Sequence, residues 1–246
     1  MLKNYILKLI ILFFIFFSTI SYAELTYHQL DKSIYSCTNG GGICDIFKVP
    51  DELEDYIIDS NLSIDTFFGK KYLLTTLKNN STANTCYTLY LIDNNTVQSD
   101  EIYLLEENHS LCLYEKIGHQ LINSFRDGAK WYETLYQEKN GYYQLVLTDE
   151  CIGCGMIQRF YVDSNKYAMV TDNELLNMRE AITKEIKKRT ILLNSPMITD
   201  KTKMYLVTGD KVRLLQRQDD FYLIEYNSQK KGLIHKWLHC SAIDAC

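Results

Sequence analysis

The chain has very little proline, two residues in 246, and only eleven glycines. That excludes collagen-like and linker-like sequence. It also lacks a basic excess. Lysine and arginine number 26 against 31 acids, for a formal charge of -5, a poor match to a nucleic-acid binder. H-E-x-x-H, G-x-S-x-G and P-loop motifs are missing, which removes the commonest signatures of zinc, serine and phosphate chemistry. Beyond residue 23 there is no apolar run of the roughly 20 residues that a membrane-spanning helix needs. Hydrophobic residues nevertheless make up 46% and charged residues 23%, which is ordinary globular usage and leaves no room for wholesale disorder. At about 150 residues per domain, the length allows one domain or two.

What the chain does have is tyrosine, 19 residues, and cysteine, eight. Its first 23 residues read as a signal peptide. Lys3 and Lys8 precede the apolar run Leu9–Phe17, and Ser21-Tyr22-Ala23 forms an A-x-A-like cleavage site. The alternative is an uncleaved anchor. No cysteine sits at the cleavage point, so a lipoprotein is not expected. Cleavage would remove two lysines and no acid, taking the charge to -7, which disfavours attachment to anionic lipid. The expected location is periplasmic or secreted.

Disulfides persist in such a compartment. Eight cysteines allow 105 pairings, but proximity favours four local staples: Cys37–Cys44, Cys86–Cys112, Cys151–Cys154 and Cys240–Cys246. The C-x-x-C of Cys151 and Cys154 could also be a redox pair or half of a zinc site. It lies between two β-like runs, and no second C-x-x-C or H-x-x-x-H completes a metal set, so a turn disulfide is the preferred reading.

Residues 24–172 read as an irregular antiparallel β domain. Tyrosine is a strand former, and runs such as Lys71–Leu77, Cys86–Ile92, Trp131–Gln137 and Tyr142–Leu147 are separated by turn signals. Asn140-Gly141 is the strongest hairpin signal among them. Ile102–Glu106 and Leu111–Lys116 read as another hairpin, as do Gln158–Val162 and Tyr167–Val170. One short helix is expected over Asp51–Ser60, opened by Pro50 and acids. Residues 173–189 carry Leu175, Met178, Ile182 and Ile186 at helical spacing, which predicts a helical linker; the alternative is a strand-and-loop connection.

Residues 190–246 resemble the bacterial SH3 family of small β-barrels. The likeness rests on the order of Asn194-Ser195-Pro196, Lys203–Leu206, Thr208-Gly209-Asp210-Lys211-Val212, Phe221–Tyr226, Lys231-Gly232-Leu233-Ile234 and Trp237-Leu238. It covers about a quarter of the chain. The resemblance implies a binding module, with Tyr205, Tyr222 and Trp237 as partner-binding aromatics unless they pack the barrel core. Leu233 stands where the family's signature Gly is usually followed by Trp, which removes one aromatic wall of the family's groove. More weakly, Ser124–Tyr136 followed by Asn140–Leu145 resembles exported, incomplete β-propeller proteins, some of which act as immunity proteins against lysozyme-like effectors.

The expected whole is all-β, with a propeller- or barrel-like first domain and an SH3-like second one. It is expected to be a non-enzymatic binding protein of the bacterial envelope. Five histidines fall in no catalytic or metal pattern, and no cofactor or metal is expected. The partner would be a protein, such as a lysozyme-like hydrolase, met by Arg126, Asp127, Lys130 and Trp131. The alternative is a peptidoglycan- or peptide-binding accessory protein working through the SH3-like module. Arg126 and Asp127 could also merely satisfy a turn.

Overall fold

The structure, a computed structural model, describes residues 23–38, 43–78, 84–153 and 155–246. The expected leader lies outside these residues apart from Ala23, as do the glycine loop 39–42 and Cys154. The described fold is all-β, and no helix among these residues is long and apolar enough to cross a membrane.

Contacts divide the chain into two compact units, one running to Asn80 and taking in Tyr87–Ile102, the other made of Ser81–Cys86 and Tyr103–Cys246. The boundary at 172 and the linker 173–189 expected from the sequence are not where this division falls.

In the first unit β1 (Ala23–His28), β2 (Ser33–Thr38) and β3 (Cys44–Lys48) form an antiparallel meander. A 3-10 turn at Asp51–Leu53 leads into α1 (Glu54–Ile58). Glu54 and Asp55 favour this start by facing the positive helix end, and Ile57 is the residue the helix buries. Then come β4 (Ser60–Phe67), β5 (Lys70–Leu77), β6 (Cys86–Asp93) and β7 (Thr96–Glu101). The order is β1-β2-β3-β7-β6-β5-β4, with β3 and β7 parallel at Lys48 and Thr96. Asn94 and Asn95 both take positive φ, as the tight β6–β7 hairpin requires. Ile34, Phe47, Leu53, Ile57, Leu73, Tyr90, Ile92 and Val97 build the core.

The second unit holds β8 (Leu111–Cys112), β9 (Glu115–Ile117), β10 (Gln120–Asp127), β11 (Lys130–Lys139), β12 (Tyr142–Gly153), β13 (Met156–Tyr161) and β14 (Lys166–Thr171). Strands β9 to β14 form one antiparallel meander in reverse chain order. Asn140 and Gly141 both have positive φ and set Lys139 opposite Tyr142, as their sequence predicts. The hairpin expected from Ile102–Glu106 and Leu111–Lys116 does not form. Tyr143 takes the Leu104 carbonyl at 2.8 Å, and Leu105 bridges to the same residue. The backbone groups that would have closed the hairpin are thereby taken by β12.

The expected helix at 173–189 is also replaced. Only a 3-10 turn, Leu176–Met178, is helical, and β15 (Thr183–Glu185) follows it. Leu176, Ile182 and Ile186 are buried, while Leu175 and Met178 are exposed. The chain runs extended because both of its edges find partners. The Ile182 amide donates to Met169 at 2.9 Å, and the Ile182 carbonyl accepts from Leu214 at 2.9 Å.

The last sheet contains β15, β16 (Thr190–Leu193), β17 (Lys201–Leu206), β18 (Lys211–Gln218), β19 (Phe221–Ser228) and β20 (Gly232–His239). Its order is β15-β18-β19-β20-β16-β17, all antiparallel. Leu192, Leu206, Val212, Leu214, Tyr222, Ile224 and Leu238 converge on one core, which also takes in Ile182 and Ile186 and, from the preceding sheet, Met156 and Met169. The sheet curls around these side chains into a barrel-like form.

Three of the four expected staples are present: Cys37–Cys44, Cys86–Cys112 and Cys240–Cys246. Cys151 is exposed and has no disulfide partner among the described residues; its expected mate, Cys154, is outside them.

Candidate functional site

Arg126, Asp127, Lys130 and Trp131 come together at one hairpin tip. β10 and β11 stay in register to the end, pairing Arg126 with Trp131 and Asp127 with Lys130. That leaves two residues, Gly128 and Ala129, to turn the chain. Gly128 sits at φ +58° with open space where a Cβ would go. Glycine is there for its backbone conformation, which costs other residues about 1–2 kcal/mol.

The tip is held by four contacts. Asn84 reaches the end of β10 and acts as a short extra strand: the Arg126 amide donates to Asn84 Oδ1 at 2.6 Å, and Asn84 Nδ2 donates to the Arg126 carbonyl at 2.8 Å. The Arg126 guanidinium lies over the Trp131 ring, 5.2 Å from its centroid. The Lys130 ammonium pairs with Glu150 of β12. The Asp127 carboxylate makes no hydrogen bond or ion pair among the described residues. Arg126, Asp127 and Lys130 are exposed, and Trp131 is half-buried.

Beside the tip opens a cleft of about 490 Å³, a volume in the range of ligand sites. Phe125, Tyr132, Tyr136, Leu145 and the Cys112 end of the Cys86–Cys112 bridge give it apolar walls, with Asp127 among its lining residues. Phe125 and Tyr132 stack, with centroids 5.3 Å apart and planes 14° from parallel. The polar groups deeper in are satisfied. Asn123, 2% exposed, accepts from the Cys112 amide at 2.5 Å and donates to the Ser110 carbonyl at 3.3 Å. The Thr134 hydroxyl donates to the Asn123 carbonyl at 3.1 Å. Tyr136, 1% exposed, meets His109 Nδ1 at 3.2 Å. Its phenol is held above the ordinary tyrosine value, chiefly by burial.

Sequence reading did not anticipate the charged row beneath the same sheet. Glu133, Asp149 and Arg159 stand opposite one another on β11, β12 and β13. Arg159 grips Asp149 with two bonds of 2.7 Å. Arg179 adds a bond of 2.6 Å to Asp149 and pairs with Glu133. Two guanidinium groups and two carboxylates balance, so burial leaves no net charge. The sequence signal that could have found it is an Asp inside the otherwise strand-like run LVLTDE and an Arg inside MIQRFY.

The remaining expected partner residues are in the last sheet. Tyr222 corrects the expectation: it is fully buried, its hydroxyl donates to the Ala245 carbonyl at 3.1 Å, and it packs the core. Tyr205 is exposed with Arg189 stacked 4.3 Å from its ring centroid, and Trp237 is half-buried on β20. Neither joins the hairpin tip. His239, Cys240 and Cys246 place ligand-type atoms within 4.8 Å of one another, but both sulfurs are committed to a disulfide.

Among known proteins, no family model matches the chain, and neither a curated protein nor a solved structure is found to be similar to it.

Proposed function

We propose that the chain is an exported, non-enzymatic binding protein of the bacterial envelope, and that it holds a protein partner through the β10–β11 tip and the adjoining cleft. In its most specific form it is an inhibitor or immunity factor against a wall-degrading, lysozyme-like enzyme. The observation that carries this reading is pre-organisation. Arg126 and Trp131, residue types enriched at interface hot spots, are exposed or half-exposed on a tip already fixed by Asn84 and Glu150. Little side-chain freedom is left to lose on binding. The three disulfides are compatible with an extracytoplasmic location.

The test is retention of a purified lysozyme-like muramidase on the immobilised mature chain. Retention is expected, with a loss of at least about tenfold in affinity for Trp131→Ala. Failure to retain the enzyme, or retention untouched by both Trp131→Ala and Arg126→Ala, overturns the proposal. A second reading draws on the SH3-like resemblance and on Tyr205, exposed on β17. Here the last sheet binds peptidoglycan peptides. Sedimentation with purified peptidoglycan, lost in Tyr205→Ala, would favour it.

A further inference from the structure

The cleft beside the hairpin tip has a chemical preference of its own. Its walls present the rings of Phe125, Tyr132 and Tyr136. Aromatic faces carry negative charge density and attract cations. Among the described residues that line it there is no lysine or arginine, and Asp127 is the one carboxylate. Lys130, the cation whose charge acts with that of Asp127, is held by Glu150. Deeper in, His109 lines it as well, 3.2 Å from the Tyr136 hydroxyl. Outside that lining, Glu106 accepts the Leu145 amide at 2.9 Å, and the exposed Glu107 lies 3.8 Å from His109 Nε2. The cleft is therefore apolar along its sides, with the exposed Asp127 carboxylate at its hairpin-tip end.

We infer that this cleft takes a cationic side chain, lysine or arginine, from the surface of the protein partner. The methylene stem would lie against Phe125, Tyr132 and Leu145, with its charge beside the Asp127 carboxylate. A long cationic side chain suits such a site because its stem is apolar and only its end is charged. The Asp127 carboxylate disfavours an acidic occupant, and a purely apolar one would leave it with nothing to gain. The inference rests on reading this face as the partner surface, and it names what that surface selects.

It can be tested without any partner. The full mature chain would be titrated with N-acetyl-lysine N-methylamide and, separately, with its neutral near-isostere N-acetyl-norleucine N-methylamide. The readout is the ring and methyl NMR signals of Phe125, Tyr132, Tyr136 and Leu145. The lysine derivative is expected to shift these signals saturably and to bind several-fold more tightly than the norleucine one. That preference should fall by up to about fivefold in Asp127→Asn, since an exposed charge pair contributes up to about that factor. Asp127→Lys, which reverses the charge at the same exposed position, serves as a second variant. Equal binding of the two derivatives, signals that shift only elsewhere, or a lysine preference unchanged in both variants would overturn the inference. The hydrolase capture experiment fails or succeeds separately. Loss of the lysine preference leaves the contacts of Arg126 and Trp131 standing, and absence of capture leaves the chemistry of the cleft standing.

Discussion

Asp149 is 2% exposed and takes three hydrogen bonds from two arginines. Removing one partner of a buried ion pair leaves an uncompensated charge and typically costs about 3–5 kcal/mol. We expect Asp149→Ala and Arg179→Ala each to lower unfolding stability by that amount in urea, with Arg126→Ala, on an exposed tip, within about 0.5 kcal/mol. If Arg179→Ala were as mild as Arg126→Ala, the buried row would not be what fixes the 173–189 segment. Tyrosine carries a second expectation at this scale. Burial raises the Tyr90 phenol to about 12 and Tyr136 in the same direction. Between the ordinary value near 10 and the raised one, the folded chain binds more protons than the unfolded chain. Stability is then fully present below about pH 10 and falls as pH rises towards 12. Ultraviolet titration of phenolate should show an early group of exposed tyrosines and a late one that appears together with unfolding.

The extended segment after β14 shows how an element is decided. Its apolar spacing fits a helix equally well, and its lysines and arginines crowd the end where a helix would want them. Three things outweigh that propensity. Arg179 is drawn into the charged row, Ile182 bonds to both Met169 and Leu214, and Ile186 is wholly buried in the last core. Truncating Ile186 to Ala should cost roughly 2–5 kcal/mol, measured by thermal or urea unfolding. Lys184→Ala, on an exposed position of β15, should cost little. On a surface helix the two substitutions would differ far less. The β10–β11 hairpin is the opposite case. Its two-residue turn and its pairing follow from alternating residues around Gly128, and nothing distant is needed to form it. Asn84, 42 residues earlier in the chain than Arg126, only locks it.

At the scale of the molecule, the disulfides and the shared core set what can be separated. Cys86–Cys112 spans 26 residues, against 7 for Cys37–Cys44 and 6 for Cys240–Cys246. Loop-closure entropy then predicts a cost of about 3.5 kcal/mol for losing the first and about 2 kcal/mol for either of the others, to be read from paired Cys→Ala variants. The core of the last sheet includes Met156, Met169, Ile182 and Ile186. A fragment beginning at Lys188 leaves all four behind. We expect it to give the collapsed amide NMR spectrum of an unfolded chain, whereas a fragment comprising Ser81–Cys246 should remain dispersed. A well-dispersed Lys188–Cys246 spectrum would show that the short barrel carries its own stability.

The sequence by itself determined the class and the local geometry. Alternating apolar residues, the Asn-Gly turn and cysteines that lie near one another in the chain are local signals. Strand, hairpin and staple are local structures, and so β6, β11, β12, the Asn140-Gly141 turn and three disulfides were legible. The turn at Arg126–Lys130 was legible too, but its pairing strand β10 was not. Only the tertiary structure decided the rest. Whether Tyr222 faces a partner or a core depends on which side of β19 the remaining strands close over. Whether 173–189 coils or extends depends on Met169, Leu214 and Asp149. The cleft needs Asn84, His109, Phe125 and Leu145 from separate stretches of chain. A helical repeat and an extended ribbon can share one sequence pattern, and the choice between them is made by hydrogen-bond partners and buried charges that the pattern does not contain.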